Sequence, residues 1–368
     1  MKRIVPAYIM IVTLMIISVS VVLVTYLTHK SRVYFPYAHM VVDRYQARAL
    51  AFGGVQIAMS QLAAAATPKK KETSAQQQAD KTKAASSPAT SQDAVAKDLL
   101  SALLPIKNRW QTITLTKERE GINAQLKLCI VCEDGKININ KMYDFEKRKF
   151  VGEGNAQGDY KKIMQELFTR IEKKLHAKDL FVGFEKFLKD RQYMVNDASE
   201  LWLIKAFKEA FKKDRVWYQP PLAESSQKKE QRTLYLTDIF TVWSAKEQLQ
   251  PWLLSDSLCA LFDLKRAESN EMSKERISEL VKNFKRVAQW PADWKQQLKP
   301  LYDKDSNALP QTIMAMLNPT FEPTTFSVLS YASVGKITQT LLAIIELKPA
   351  SEDAQRGVVV TMKKVYWL

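Results

Sequence analysis

The chain has 368 residues, more than a single domain of ~100–200 residues needs, so two folded modules with accessory segments are expected. Lys plus Arg number 55 against 39 Asp plus Glu, and the resulting net charge of +16 suits an anionic membrane surface, an acidic protein or nucleic acid without choosing among them. Three cysteines exclude a disulfide framework, and Lys-rich runs such as 170–178 and 205–213 read as solvated helix faces.

Residues 4–28 contain no charge and are dominated by Ile, Val, Leu and Met, which matches the ~20 apolar residues that cross a bilayer as a helix. A cleaved secretory signal has a shorter apolar core of ~7–15 residues and a small-residue cleavage site, so this segment reads as a retained anchor. Basic residues flank both ends, Lys2 and Arg3 before and Lys30 and Arg32 after, which leaves the positive-inside rule nearly balanced. The helical pattern continues outward. Met40, Ala47, Leu50, Ala51, Gly54, Val55, Ala58 and Leu62 recur at spacings of three, four and seven, an apolar stripe on a helix that extends to about residue 66. Ala47, Ala51, Gly54 and Ala58 are small enough to let another helix approach closely, and they are the expected helix-packing contact in an assembly. The same stripe could equally dock on the chain's own folded part.

Residues 67–92 consist almost entirely of Lys, Ala, Ser, Thr, Gln, Asp and Pro, the composition of a disordered linker. A short helix over 94–104 then precedes strands over 110–116 and 124–132. Glu133-Asp134-Gly135-Lys136-Ile137-Asn138-Ile139-Asn140 follows, with Asp-Gly as a tight-turn signal, since Gly tolerates positive φ and Asp bonds nearby backbone. From 160 to about 318 the pattern is helical, with candidates at 160–177, 179–190, 198–213, 255–264 and 274–288. A β-hairpin over 324–347 turning near Gly335, and a closing strand over 357–367, complete the chain. Strands flanking a helical block predict an α+β fold with a helical insertion: 1–66 the long helix, 67–92 the linker, 93–140 and 321–368 the two parts of a sheet domain, 141–320 the inserted helices.

Catalytic patterns are missing. There is no Gly-rich phosphate loop, no His-Glu-x-x-His pair and no Gly-x-Ser-x-Gly elbow. Of His29, His39 and His176, two adjoin the anchor, and His176 sits in a Lys-rich helix and reads as a surface residue. Cys129 and Cys132 have the spacing of a redox pair but lie in a strand, where positions i and i+3 face opposite ways about 10 Å apart, too far for a disulfide. No enzyme activity, nucleic acid or small-molecule substrate is expected, and the scattered Trp202, Trp217, Trp243, Trp252, Trp290 and Trp294 read as packing.

Four segments in order resemble one family. Residues 47–58 resemble the second half of the long first helix of pilin-like proteins. Glu133, Gly135, Lys136, Asn138 and Asn140 are similar to a family pattern of an acidic residue, a spacer, Gly-Lys-Ile-Asn, a spacer and Asn. Residues 236–244 resemble the exit from the family's first helical part, and the C-terminal strands resemble its final hairpin and closing strand near Tyr366-Trp367. That family is the minor pseudopilins of the type II secretion system, general secretion pathway protein K. The sequence departs from it in having no Gly just before the apolar helix and no second Gly-Lys-Ile-Asn after Ser244. The early Glu of most pilins is missing too, at a position where this family itself resembles an exception.

The resemblance implies a pilin-like antiparallel sheet and a place at the tip of a short periplasmic filament. There it would support protein secretion, anchored by one pass in the inner membrane beside other minor pseudopilins and the secretion apparatus. It also implies structural calcium in the helical part. Asp303, Asp305 and Asn307 place oxygens at positions 1, 3 and 5 of a loop, although Ala308 and Met314 stand where an EF-hand needs Gly and Glu. The reading it competes with is a membrane-tethered envelope protein whose basic head holds an anionic partner.

Overall fold

The structure is a computed structural model that describes residues 4–66, 88–155, 158–220, 233–264, 281–282, 301–302, 309–318, 320–349 and 358–368. Helix α1, Ile4–Ala66, is one rod of 63 residues, about 95 Å long at 1.5 Å per residue. Among the described residues it is the one helix long and apolar enough to cross a membrane. Its large apolar side chains from Tyr8 to Leu27 are exposed, with no protein over them. Helix α2, Pro88–Leu103, starts earlier than expected, with Pro at the position where its missing N–H costs nothing, and packs beside α1 through buried Leu100 and Leu103.

Five strands form one antiparallel sheet in chain order: β1 Trp110–Leu115, β2 Ala124–Cys132, β3 Thr325–Val334, β4 Ile337–Pro349 and β5 Val358–Trp367. The β2–β3 pair, with Ala124 opposite Val334 and Cys132 opposite Phe326, joins segments from the two ends of the folded part. Alternation divides the residues between two faces. Leu126, Leu128, Ile130, Val328 and Ala343 turn toward α1, whereas Val131, Leu329, Leu342 and Ile344 turn toward the helical block. Cys129 and Cys132 therefore lie on opposite faces of β2, both buried and neither in a disulfide, as their spacing predicts. Gly335, at φ 55°, makes the tight β3–β4 turn.

The helical block lies entirely in the β2–β3 connection. Its described α-helices of six residues or more are α3 Tyr160–Leu175, α4 Leu180–Lys189, α5 Lys205–Ala210 and α6 Asp256–Leu261. Phe168 centres its core, with ring centroids 5.0 Å from Phe184, 5.6 Å from Phe207 and 5.6 Å from Phe240. The fold is α+β, as expected for a pilin-like chain with a helical insertion. One local expectation changes. The helix over 198–213 breaks, because Ile204 is extended (φ −70°, ψ 126°) between a 3-10 turn, Ala198–Leu203, and α5. The candidate helix at 274–288 lies almost wholly outside the described residues.

Candidate functional site

Glu133 to Asn140 sits where the sheet hands over to the helical block, and side chains of Glu133, Asp134, Asn138 and Asn140 in it reach distant parts of the chain. The Asp-Gly step is not a hairpin turn. Glu133–Gly135 forms a single 3-10 turn, and Ile137–Asn138 pairs in parallel with Phe240–Thr241. Gly135 has no positive φ. It is required because a Cβ there would stand 1.9 Å from the Leu253 carbonyl oxygen, so two backbones touch at this point.

Asp134 is fully buried. Its Oδ1 accepts the Ser244 hydroxyl at 2.7 Å, and its Oδ2 accepts the backbone N–H of Thr324 at 2.6 Å and of Thr325 at 3.0 Å. Its main chain continues the link, its carbonyl accepting the Gln250 N–H at 2.8 Å. Burial pushes the Asp134 carboxyl above the usual range, and those hydrogen bonds hold it partly back. One side chain thus ties the end of β2, the segment after Phe240 and the start of β3.

Beside it, Lys136 Nζ lies 2.5 Å from Glu133 Oε1, both side chains buried, and the other Glu133 oxygen accepts the Thr241 hydroxyl. Asn138 donates to the Ser244 carbonyl at 2.6 Å, while Asn140 both donates to and accepts from the Val195 backbone, at 2.8 and 2.9 Å. Asp238, also buried, accepts the Ser257 N–H at 2.7 Å, and burial pushes its carboxyl up to about 6 against the pull of Lys136. A cavity of about 30 Å³ opens between these groups and the sheet, lined by Glu133, Lys136, Asp238, Thr241, Ser327 and Leu329. That is room for water. The motif is a polar clasp between sheet and helices. The resemblance to a family pattern brings Glu133, Gly135, Lys136, Asn138 and Asn140 to notice, but not Asp134's own role, nor its partners Ser244, Thr324 and Thr325 or the neighbouring Asp238.

The small-residue stripe of α1 is used inside the chain. Ala47, Ala51 and Ala58 are completely buried with Val55 and Leu62, α1 lying across β2, β3 and β4. Gly54 faces the same sheet, where a Cβ would come within 2.4 Å of Ser330 Oγ and 2.9 Å of Leu126 Cδ1. This corrects the expectation that the four residues meet a neighbouring helix: the chain's own sheet occupies them, since small side chains let a helix lie close on a sheet. The exposed side of α1 is the opposite one, with Val42, Tyr45 and Phe52 at 50%, 67% and 44% exposure.

His176 is exposed at the C-terminal end of α3. Asp303, Asp305 and Asn307 lie outside the described residues, and among the described residues no group of three or more His, Cys, Asp or Glu side chains could hold a metal ion. Trp252 is fully buried, and Trp202 donates its indole N–H to the Phe211 carbonyl at 2.7 Å, both as packing residues. Trp290 and Trp294 also fall outside the described residues.

No protein-family model and no curated protein matches the sequence. Among solved structures, a chain of the GspK-GspI-GspJ complex from the enterotoxigenic Escherichia coli type 2 secretion system is similar at 13% identity and a TM-score of 0.37, covering 76% of this chain and 93% of that one.

Proposed function

We propose that the chain is a membrane-anchored, non-enzymatic subunit of a pseudopilin-type secretion assembly, one that caps or initiates a short filament. The observation that carries this reading is the continuity of α1. One helix, with Pro36 inside it, runs from an exposed apolar span directly onto the sheet, so the folded head joins the membrane span through helix instead of a linker. The clasp adds to it. Glu133, Asp134, Lys136 and Asn138 fix the helical block against the sheet through buried contacts, and a block so placed would obstruct a subunit stacking beyond it. That suits an end position in a filament, on the inner membrane with the head in the periplasm beside other minor pseudopilins and the secretion apparatus. Deleting the gene should abolish secretion of the proteins the system exports, and the full chain should copurify with pilin-like subunits. Intact secretion together with solitary recovery sinks the proposal.

One observation favours the second reading, an envelope protein that holds an anionic partner. Arg170, Lys173, Lys174, His176 and Arg215 line a single groove of the head, with Asp263 the one carboxylate among the described lining residues. Salt-sensitive binding of the full protein to anionic polymer, with secretion intact in the deletion strain, would support that reading over the first.

A further inference from the structure

The basic groove of the head contains two arginines whose donors are not used up within the chain. Arg170, on α3, gives one terminal nitrogen to Glu166 at 3.2 Å, but its Nε is buried with no acceptor. Arg215 is half-buried, and among the described residues its guanidinium has neither an ion pair nor a hydrogen bond. Lys173 is exposed and is likewise unpaired among them. Lys174 is occupied, its Nζ donating to the Ala260 carbonyl at 2.5 Å and to Asp263 Oδ1 at 2.6 Å.

The ordinary reason for cations at this place covers only part of the set. A helix C-terminus attracts positive charge, which explains Lys173 and Lys174 in the last turn of α3. It explains neither guanidinium. Arg170 stands more than a turn before the end of α3, and Arg215 belongs to a separate 3-10 turn, Lys213–Arg215. A buried donor without an acceptor is costly, so an anion in the groove would satisfy what the fold leaves open.

Charge and space narrow the anion. Arg170, Lys173, Lys174 and Arg215 outnumber Asp263 by three, and Glu166 beside Arg170 leaves an excess of two. A carboxylate brings one negative charge, a phosphate ester about −1.5 to −2, and a planar guanidinium takes phosphate oxygens in pairs. The groove holds about 700 Å³, within the ~300–1,000 Å³ of ligand sites, far more than one phosphate fills.

We infer that the groove binds a phosphate ester or diphosphate carried on a larger molecule, with Arg170 and Arg215 gripping its oxygens and Lys173 as a further cation. The inference rests on the second reading above and gives its anionic partner a chemistry. The test titrates pyrophosphate into the detergent-solubilised full-length protein, in phosphate-free buffer at about 0.15 M salt, and follows the heat. Saturable binding is expected. Arg170→Gln and Arg215→Gln should each weaken it about tenfold or more, and Lys173→Gln, at an exposed position where folding is not at stake, several-fold. Lys147→Gln, an exposed lysine outside the groove, should leave it unchanged. Succinate should bind about tenfold more weakly than pyrophosphate. No saturable binding, equal affinity for succinate, or equal weakening by Lys147→Gln would each overturn the inference. Phosphatidate vesicles that displace pyrophosphate would put the phosphate on a lipid, and vesicles that do not would put it on a soluble ligand; the site stands in both cases. Failure of pyrophosphate with salt-sensitive polymer binding intact would leave the second reading standing without this site. Pyrophosphate binding by a chain on which secretion depends would keep the site and remove that reading.

Discussion

Asp134 accepts the backbone N–H of Thr325 at 3.0 Å across 191 positions of sequence, so a residue in the turn directly after β2 also fixes where β3 begins. Two adjacent strands are thereby held together at the end where the helical block leaves and returns. Removing the carboxylate in Asp134→Ala strands the N–H groups of Thr324 and Thr325 and the hydroxyl of Ser244. An unpaired buried donor costs about 1–3 kcal/mol, and with partial relaxation the loss should total about 4 kcal/mol. Asp134→Asn should lose less, because its amide oxygen can still accept the Thr324 and Thr325 N–H groups while its NH2 faces the Ser244 hydroxyl oxygen, whose proton has the Lys246 carbonyl as an acceptor. Thermal unfolding of the detergent-solubilised protein checks both, and a loss under about 1 kcal/mol for the alanine variant would contradict the clasp.

The buried Glu133–Lys136 pair allows a sharper test. Lys136→Met leaves the Glu133 carboxylate charged without its cation and should cost about 3–5 kcal/mol. Adding Glu133→Gln removes that charge while keeping an oxygen for the Thr241 hydroxyl, so the double variant should recover most of the loss. Denaturant unfolding of the three variants measures the coupling, and simple additivity would argue against a specific pair.

Two adjacent glycines of α1 should respond in opposite senses. A Cβ at Gly53 meets nothing within 4 Å, so Gly53→Ala should gain up to about 1 kcal/mol of helix propensity. Gly54→Val would drive its side chain into Ser330 and Leu126 and lift the helix from the sheet, at a cost of about 1–3 kcal/mol or more. Melting temperatures that move in the same direction for both would refute the docking of α1 on this face.

Where a residue's role depends on its near neighbours in sequence, it was legible. The apolar run from Ala124 to Cys132 makes a strand with those bounds, and the turn at Gly335 lies between strands whose alternation is plain. The helix over 160–177 differs from α3 by two residues, since His176 leaves the helix at φ 54°. Long-range contacts carry no such signal. Nothing local shows that Gly135 is needed for the approach of Leu253, or that Asp134 bonds residues 110 and 191 positions away. The α1 stripe was visible as a packing surface, but periodicity reports only that a face is apolar, not whether a sheet or a helix covers it. The break at Ile204 was hidden for a related reason: every residue of 198–213 tolerates a helix, and the extended Ile204 is a property of the fold around it.

Asp238 gives a pH dependence whose sign can be worked out. Its carboxyl is buried and pushed up to about 6, with Asp256 adding to the rise and Lys136 opposing it, while an unfolded Asp titrates near ~3.9. Between those values the folded state holds a proton that the unfolded state has lost. Stability therefore falls as pH rises from about 4 to about 6, and the penalty is fully present above that. Two pH units correspond to about 3 kcal/mol at most. Asp238→Asn keeps an oxygen for the Ser257 N–H and carries no charge, so it should match or exceed the native protein at pH 7 and lose that advantage toward pH 4. Asp134 shifts in the same sense in both proteins, so the difference between their urea midpoints across this range isolates Asp238. A variant weaker by the same amount at every pH would show that the Asp238 carboxyl does not titrate between 4 and 6, and that its worth lies in the hydrogen bond alone.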